Sequence, residues 1–178
     1  MAQMGPWTTF IFFKLAMLLT LWAASFATRG WLYGWETYPI SEEIDVGLFK
    51  TSYNGYTKDT MDIIPGSKSY LKATIGLMAV GGGCMLICLA FVIVAVLSRK
   101  QIFIILAALD ALVGGIILLT SVIIFYAKYD SDYLSVHYSW YLGLSASIFS
   151  LTTPATIASA MRRGELNFNA VPFQQFKS

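Results

Sequence analysis

Four long apolar stretches take up most of this chain and limit what it can fold into. Residues 1–28 carry a single charge, Lys14, and residues 101–127 carry a single charge, Asp110. Residues 73–98 and 133–161 carry no Asp, Glu, Lys or Arg at all. A helix that crosses a bilayer needs about 20 mostly apolar residues, and each stretch supplies them. Charged residues are 12% of the 178, about half the usual share in a soluble domain. The mean hydropathy of +0.64 points the same way. The predicted class is an all-α membrane protein, a four-transmembrane-helix bundle with spans at about 7–30, 71–97, 102–127 and 139–161. The first stretch lacks a basic lead, and its apolar run from Phe10 to Ala27 exceeds a signal-peptide core. It is therefore expected to be a retained span.

The basic residues of the short connections set the expected orientation. Arg99 and Lys100 lie between spans two and three, and Arg162 and Arg163 follow span four. The positive-inside tendency places these ends, and with them both termini, on the cytoplasmic side of the plasma membrane. Residues 31–70 and 128–138 are then outer loops, and 162–178 is a short cytoplasmic tail.

The longer loop predicts a small extracellular antiparallel sheet. A strand-like run from Val46 to Tyr53 leads into Asn54-Gly55, and Tyr56 to Met61 leads away. Asn-Gly between β-rich runs is a strong hairpin signal, because a type I′ turn needs positive φ at both central residues. A two-residue turn would pair Tyr53 with Tyr56 and Ser52 with Thr57. Trp31-Leu32-Tyr33-Gly34-Trp35 forms an aromatic cluster at the membrane boundary, where Trp and Tyr anchor. It is also able to begin a further strand. Seven aromatic residues between positions 31 and 56 suit a recognition surface better than a mere lid. The candidate partner-binding residues are Trp31, Trp35, Gly47, Leu48, Phe49, Tyr53, Asn54, Gly55 and Tyr56. Glu42, Glu43 and Asp45 add an acidic patch, read either as solvated surface or as a contact for a cation or partner.

These loop residues resemble a known signature. Trp31 or Trp35 followed by Gly47-Leu48-Phe49-Lys50-Thr51-Ser52 is similar to the Trp…Gly-Leu-Trp-x-x-Cys…Cys pattern of the claudin superfamily. That superfamily includes the peripheral-myelin and epithelial-membrane proteins and the stargazin-like channel auxiliary subunits. The segment from Ser69 to Met78 resembles the start of the family's second span, so the likeness covers roughly residues 7–161. Ser52 occupies the place of the first family cysteine, and no cysteine follows in the loop. Phe49 replaces the motif tryptophan, Ile75 stands where many claudins carry arginine, and the terminal Gln-Phe-Lys-Ser lacks the aliphatic end that docks PDZ domains. The resemblance implies a non-enzymatic protein that mediates junctional, adhesive or lateral membrane-protein assembly, with residues 47–63 and 128–138 contributing. The competing implication is an auxiliary subunit of an ion channel or receptor. Expected partners are membrane lipid and other integral membrane proteins, through self-association or a channel, with cell–cell junctions a candidate location.

Within the spans, small residues recur at helix-packing spacings: Gly81-Gly82-Gly83, then Ala107, Ala111 and Gly115, then Gly143 and Ser147. Such residues let helices approach closely in lipid. They serve internal packing, or lateral contact wherever a stripe faces lipid. Pro154 cannot donate to the Ser150 carbonyl, so a kink is expected, with a neighbouring threonine hydroxyl satisfying the freed group. Lys14 and Asp110 are charges within spans, which are costly and default to functional candidates. Both lie about 10–12 Å from the cytoplasmic side at 1.5 Å per residue, so an intramembrane ion pair is expected. Snorkelling of Lys14 to the interface is the alternative.

No catalytic residue, metal site or cofactor is expected. His137 is the only histidine, and Cys84 and Cys88 are the only cysteines. An i, i+4 pair on one helix suits a disulfide poorly, so both thiols are expected to be small buried groups. The net charge of +2 gives no reason to expect a nucleic-acid partner. The tail, with Phe168, Phe173 and Phe176, is read as a loose end, or as contact with membrane or partner.

Overall fold

The computed structural model describes residues 5–36, 42–53, 56–60, 68–128 and 134–166. Four helices long and apolar enough to cross a bilayer dominate it. They are α1 (Pro6–Ala27), α2 (Lys68–Ser98), α3 (Gln101–Lys128) and α4 (Tyr138–Arg162). Each lies within about a turn of its predicted span. The helices run up-down-up-down, with α2 against α3, α3 against α4, α4 against α1, and α1 closing onto α2.

A five-stranded antiparallel sheet joins the bundle at the C-terminal end of α1. Its strands are β1 (Leu32–Glu36), β2 (Glu42–Val46), β3 (Lys50–Tyr53), β4 (Tyr56–Asp59) and β5 (Leu134–Val136), in the order β4-β3-β2-β1-β5. Tyr53 pairs with Tyr56 and Ser52 with Thr57, the register that a two-residue turn dictates. Asn54 and Gly55 themselves lie outside the described residues. So do 61–67 and 167–178, which include Pro65-Gly66-Ser67 and the three tail phenylalanines.

Two features of the sheet differ from expectation. The run from Val46 to Tyr53 is not one strand: β2 ends at Val46, and the chain turns through Gly47-Leu48-Phe49 before β3. That turn is closed by the Gly47 amide donating to the Lys50 carbonyl (3.0 Å). Apolar runs look alike whether extended or folded back, and here burial of Leu48 decides in favour of the turn. The connection between α3 and α4 also contributes β5, which pairs with β1 (Leu32 with Val136, Gly34 with Leu134). One sheet therefore draws on both loops.

Trp31 joins the sheet to the bundle. It is fully buried. Its indole N–H donates to the Ser25 carbonyl at 2.7 Å, and its ring meets Phe125 edge-on at 4.7 Å. Its backbone amide donates to Val46, and its carbonyl accepts from His137. The neighbouring Gly30 carbonyl accepts from the Ser139 amide at 2.7 Å. A side chain at Gly30 would collide with Tyr138. The end of α1, strand β2 and the start of α4 thus meet at two consecutive residues.

Inside the bundle, close approach and hydroxyl-to-carbonyl bonds replace the hydrophobic effect, which does not draw helices together in lipid. Ser25 donates to the Ser139 carbonyl, Ser121 to Thr74 and Ser150 to Ala111, at 2.7, 3.1 and 2.7 Å. Gly81 lies against Leu118, Gly82 against the Trp22 ring, and Gly115 against Leu151. Ala111 is buried. Gly114, not singled out from the sequence, packs on Cys84 and Met85. Gly83 faces open space and takes no part in internal packing. Helix α4 continues through Pro154. The hydroxyls of Thr152 and Thr153 bond to the carbonyls of Ile148 and Phe149, not to the freed carbonyl of Ser150.

Substituting Trp31 by Ala should cost about 3–5 kcal/mol, the usual loss for a buried Trp. Trp31→Phe retains most of the packing and forfeits the indole bond, for about 1 kcal/mol. Equilibrium unfolding in mixed micelles measures both, and equal losses would show that the indole bond to Ser25, not the packing of the ring, supplies the anchorage.

Candidate functional site

The outer sheet divides the sequence-predicted partner residues into an inner and an outer set. Trp31 and Leu48 are fully buried and belong to the core, so they cannot contact a partner directly. Gly47 is buried too; a Cβ there would come within 2.7 Å of the Arg29 backbone and 2.9 Å of the Lys50 carbonyl. These three correct the expectation of a surface role: they seat the sheet. Phe49 and Tyr56 point outward, with 44% and 77% of their surfaces exposed. Trp35 lies on β1 and Tyr53 on β3, but their side chains fall outside the described residues.

Phe49 occupies the tip of the β2–β3 turn, where it meets Phe26 edge-on at 5.0 Å. Thr60 steadies the turn from beneath. Its hydroxyl donates to the Gly47 carbonyl at 2.9 Å and accepts from Thr51 at 3.1 Å. Beside it, Ala27, Thr28, Arg29, Phe49 and Lys50 line a shallow recess of about 300 Å³ with two cationic side chains. Arg29 also donates to the Thr57 hydroxyl of β4 at 3.0 Å. Strand β4 forms the sheet's outer edge, and Tyr56, Thr57, Lys58 and Asp59 are all exposed. An edge strand of this kind carries one row of backbone groups without strand partners, and charged side chains such as Lys58 and Asp59 deter indiscriminate pairing.

At the opposite sheet edge, His137 lies between aromatic rings, stacked on Tyr33 at 5.3 Å and edge-on to Tyr138 at 4.7 Å. Its Nδ1 is buried without a hydrogen-bond partner. It occupies the N-cap of α4 but makes no side-chain capping bond. Among the described residues, no group of three or more His, Cys, Asp and Glu could hold a metal ion.

The two charges within the helices do not form the expected pair. Lys14 is buried in α1, and its Nζ donates to the hydroxyls of Thr152 and Thr156 on α4, each at 2.9 Å. Asp110 on α3 faces the other way, beside Cys84 and Cys88 of α2. Its Oδ2 is buried without a hydrogen-bond partner. Similar depth put the two in the same layer, but α1 packs chiefly on α4, which turns Lys14 away from α3. Both thiols are free, and Cys88 donates to the Ala107 carbonyl at 3.3 Å.

A further contact went unforeseen because it needs the chain's two ends together. Glu165, just past α4, accepts from the backbone amides of Trp7 (2.9 Å) and Thr8 (3.1 Å). Helix α1 has no side-chain cap of its own, so a carboxylate from the far end of the fold satisfies its orphan donors and its dipole. Arg163 lies over the Trp7 ring at 4.6 Å, and Leu166 is buried. The first residues of the tail are thus docked, not loose.

A double-mutant cycle should couple Lys14 to Thr152 and Thr156, not to Asp110. Thr152→Val with Thr156→Val removes both acceptors and should cost about 1–3 kcal/mol, most of it absent in a Lys14→Met background. Lys14→Met and Asp110→Asn should combine additively, within about 0.5 kcal/mol. Unfolding in mixed micelles measures both; coupling of Lys14 to Asp110 above that level would restore the ion pair.

Comparison with protein-family models and with curated proteins gives no match for this chain.

Proposed function

We propose that this is a non-enzymatic, claudin-like integral membrane protein that assembles with other membrane proteins through its sheet and its helix surfaces. In this reading the four helices span the plasma membrane, the sheet lies outside the cell, and both termini lie in the cytoplasm. Arg99, Lys100, Arg162 and Arg163 at the end remote from the sheet support that orientation.

The observation that carries the proposal is the contrast between anchored and exposed aromatics. Trp31 and Leu48 hold the sheet onto the bundle with no surface left over, while Phe49 and Tyr56 are held outward on the same short stretch. The exposed part of each ring adds little to folding, whereas a rigid aromatic gives a partner contact area at little entropic cost. The buried turn residues serve the purpose that a disulfide would serve in the resembling family: they fix the sheet. A ring of hydrogen bonds around Gly47, Thr51 and Thr60 adds to this where Ser52 replaces a cysteine.

An auxiliary subunit of a channel or receptor is the second reading, and a separate observation favours it. Helix α1 presents Phe10, Phe13 and Met17 on its outer side, 49%, 60% and 39% exposed. Beside them is a shallow groove of about 320 Å³, lined by Phe13, Ala16, Met17, Thr20 and Leu21.

Tagged full-length protein, purified from its native membrane in gentle detergent, tests the two readings. Phe49→Ala with Tyr56→Ala should lower recovery of the co-purifying membrane protein by about tenfold, while the protein stays folded apart from the modest loss of the Phe26 contact. Homo-oligomers or junction proteins lost in that variant support the sheet-mediated reading. A channel or receptor retained at fixed ratio in the variant supports the auxiliary reading. Unchanged recovery of every other kind of partner would remove the exposed aromatics from the recognition surface.

A further inference from the structure

Lys14 is buried in the bundle with no acidic partner among the described residues. It is 7% exposed, and its only hydrogen-bond acceptors among the described residues are two neutral hydroxyls. Those hydroxyls have no proton left to offer. Thr152 donates to the carbonyls of Ile148 and Phe149, and Thr156 donates to that of Thr152. Two of the ammonium's three N–H groups are thereby taken, and nothing among the described residues accepts the third, so a negatively charged hydrogen-bond acceptor would complete the site. Intramembrane cations are rare and costly and pair with one another's opposites or line functional paths.

The seam also has an outward side. Thr152 is exposed, as are Ile148 and Ala155 on the same α4 face, with Phe10 and Met17 flanking on α1. Beyond Ile148 this face offers the Thr152 hydroxyl and the small Ala155, residues beside which a second helix approaches closely.

Depth decides between an anionic lipid and a protein carboxylate. The Arg163 guanidinium over Trp7 sets the level of the basic end of the bundle. Lys14 is seven residues along α1 from Trp7, and Thr156 and Thr152 are seven and eleven residues back from Arg163. At 1.5 Å per residue these lie about 10, 10 and 16 Å inward. Helical side chains lean toward the N-terminus, which for Lys14 is the basic end, and a snorkelling lysine would follow that lean to the headgroups. Its Nζ is instead held between Thr152 and Thr156, at or beyond the depth of its own Cα. That position lies beyond the natural reach of a headgroup phosphate and beside any helix lying along the seam.

We propose that the α1–α4 seam is a docking site for a transmembrane helix of a partner protein, which brings an Asp or Glu about 10–16 Å from the basic end to pair with Lys14. The pairing is independent of the outer sheet, so the two proposals stand or fall separately.

The test uses full-length protein in phosphatidylcholine vesicles and a synthetic Leu/Ala transmembrane helix with no outer residues, association being read by energy transfer between labelled termini. The probe carries one Asp at the matching depth, the same Asp moved to the opposite leaflet, or no Asp. The matched helix should associate about tenfold more tightly than the other two, and Lys14→Met should erase the difference. Equal association of the three helices with wild-type protein would overturn the proposal without recourse to any variant. Survival of the advantage in Lys14→Met would overturn it as well. Vesicles containing phosphatidylserine supply the remaining arm: Lys14-dependent retention of that lipid, with no preference for the matched helix, would assign the site to lipid and overturn the helix.

Discussion

The burial of Trp31 is the constraint on which the outer half of the molecule depends. A small sheet drawn from loops is marginal by itself, because strands need a packed face for independent stability. The bundle supplies that face, and Trp31 commits the sheet to it. Its indole bonds to Ser25 in α1, its ring packs on Phe125 in α3, and its two backbone groups bond to β2 and to the start of α4. A bulky residue with one polar atom suits this boundary, where the apolar body needs burial and the N–H needs a carbonyl. Leu32 and Val46, paired across β1 and β2, and Leu48 extend the same apolar layer. The sheet keeps its orientation without a disulfide, since the chain's two cysteines are both free and lie in α2.

Much of the fold was legible because membrane helices announce themselves by length and composition. Spans two to four were placed closely, since α2 to α4 end near the charges that bound their apolar stretches. Span one stops at Ala27 instead of near residue 30, because Gly30 and Trp31 are spent on the junction. The register of Tyr53 with Tyr56 followed from the spacing around Asn54-Gly55, which fixes a hairpin locally. What could not be read was non-local. Strand β5 is three residues long and exists because β1 offers it an edge. The Glu165 clasp joins residues 157 and 158 positions apart, and no pattern near Trp7 or Glu165 reports it. The turn at Gly47–Phe49 was misjudged for a related reason: burial of Leu48 depends on a bundle that the run Val46–Tyr53 does not reveal.

The candidate site was only partly legible, and the residues that misled share one cause. Aromatic and glycine residues at a membrane boundary suit both recognition and packing, and only three-dimensional placement separates Trp31 and Leu48 from Phe49 and Tyr56. Lys14 and Asp110 stand out in the sequence because apolar helices rarely carry charge. Their pairing was inferred from depth alone. Depth fixes the layer, but rotation about each helix axis decides which neighbour a side chain meets, and that rotation is set by packing.

Rotation also gives Lys14 its significance. Asp110 Oδ2 and Thr74 Oγ1 apart, the bundle satisfies its polar groups economically: serine hydroxyls reach carbonyls on facing helices, tryptophan N–H groups reach Met78 and Val122, and glycines remove bulk where backbones cross. A neutral residue at position 14 would fit this scheme, since Thr152 and Thr156 have already bonded to their own helix. The lysine instead buries a charge that two hydroxyls solvate only in part, which for an isolated chain is a net cost to folding. On the proposed reading, the charge draws an Asp or Glu of a partner helix to the seam beside Thr152, and that pairing offsets the cost of burying it.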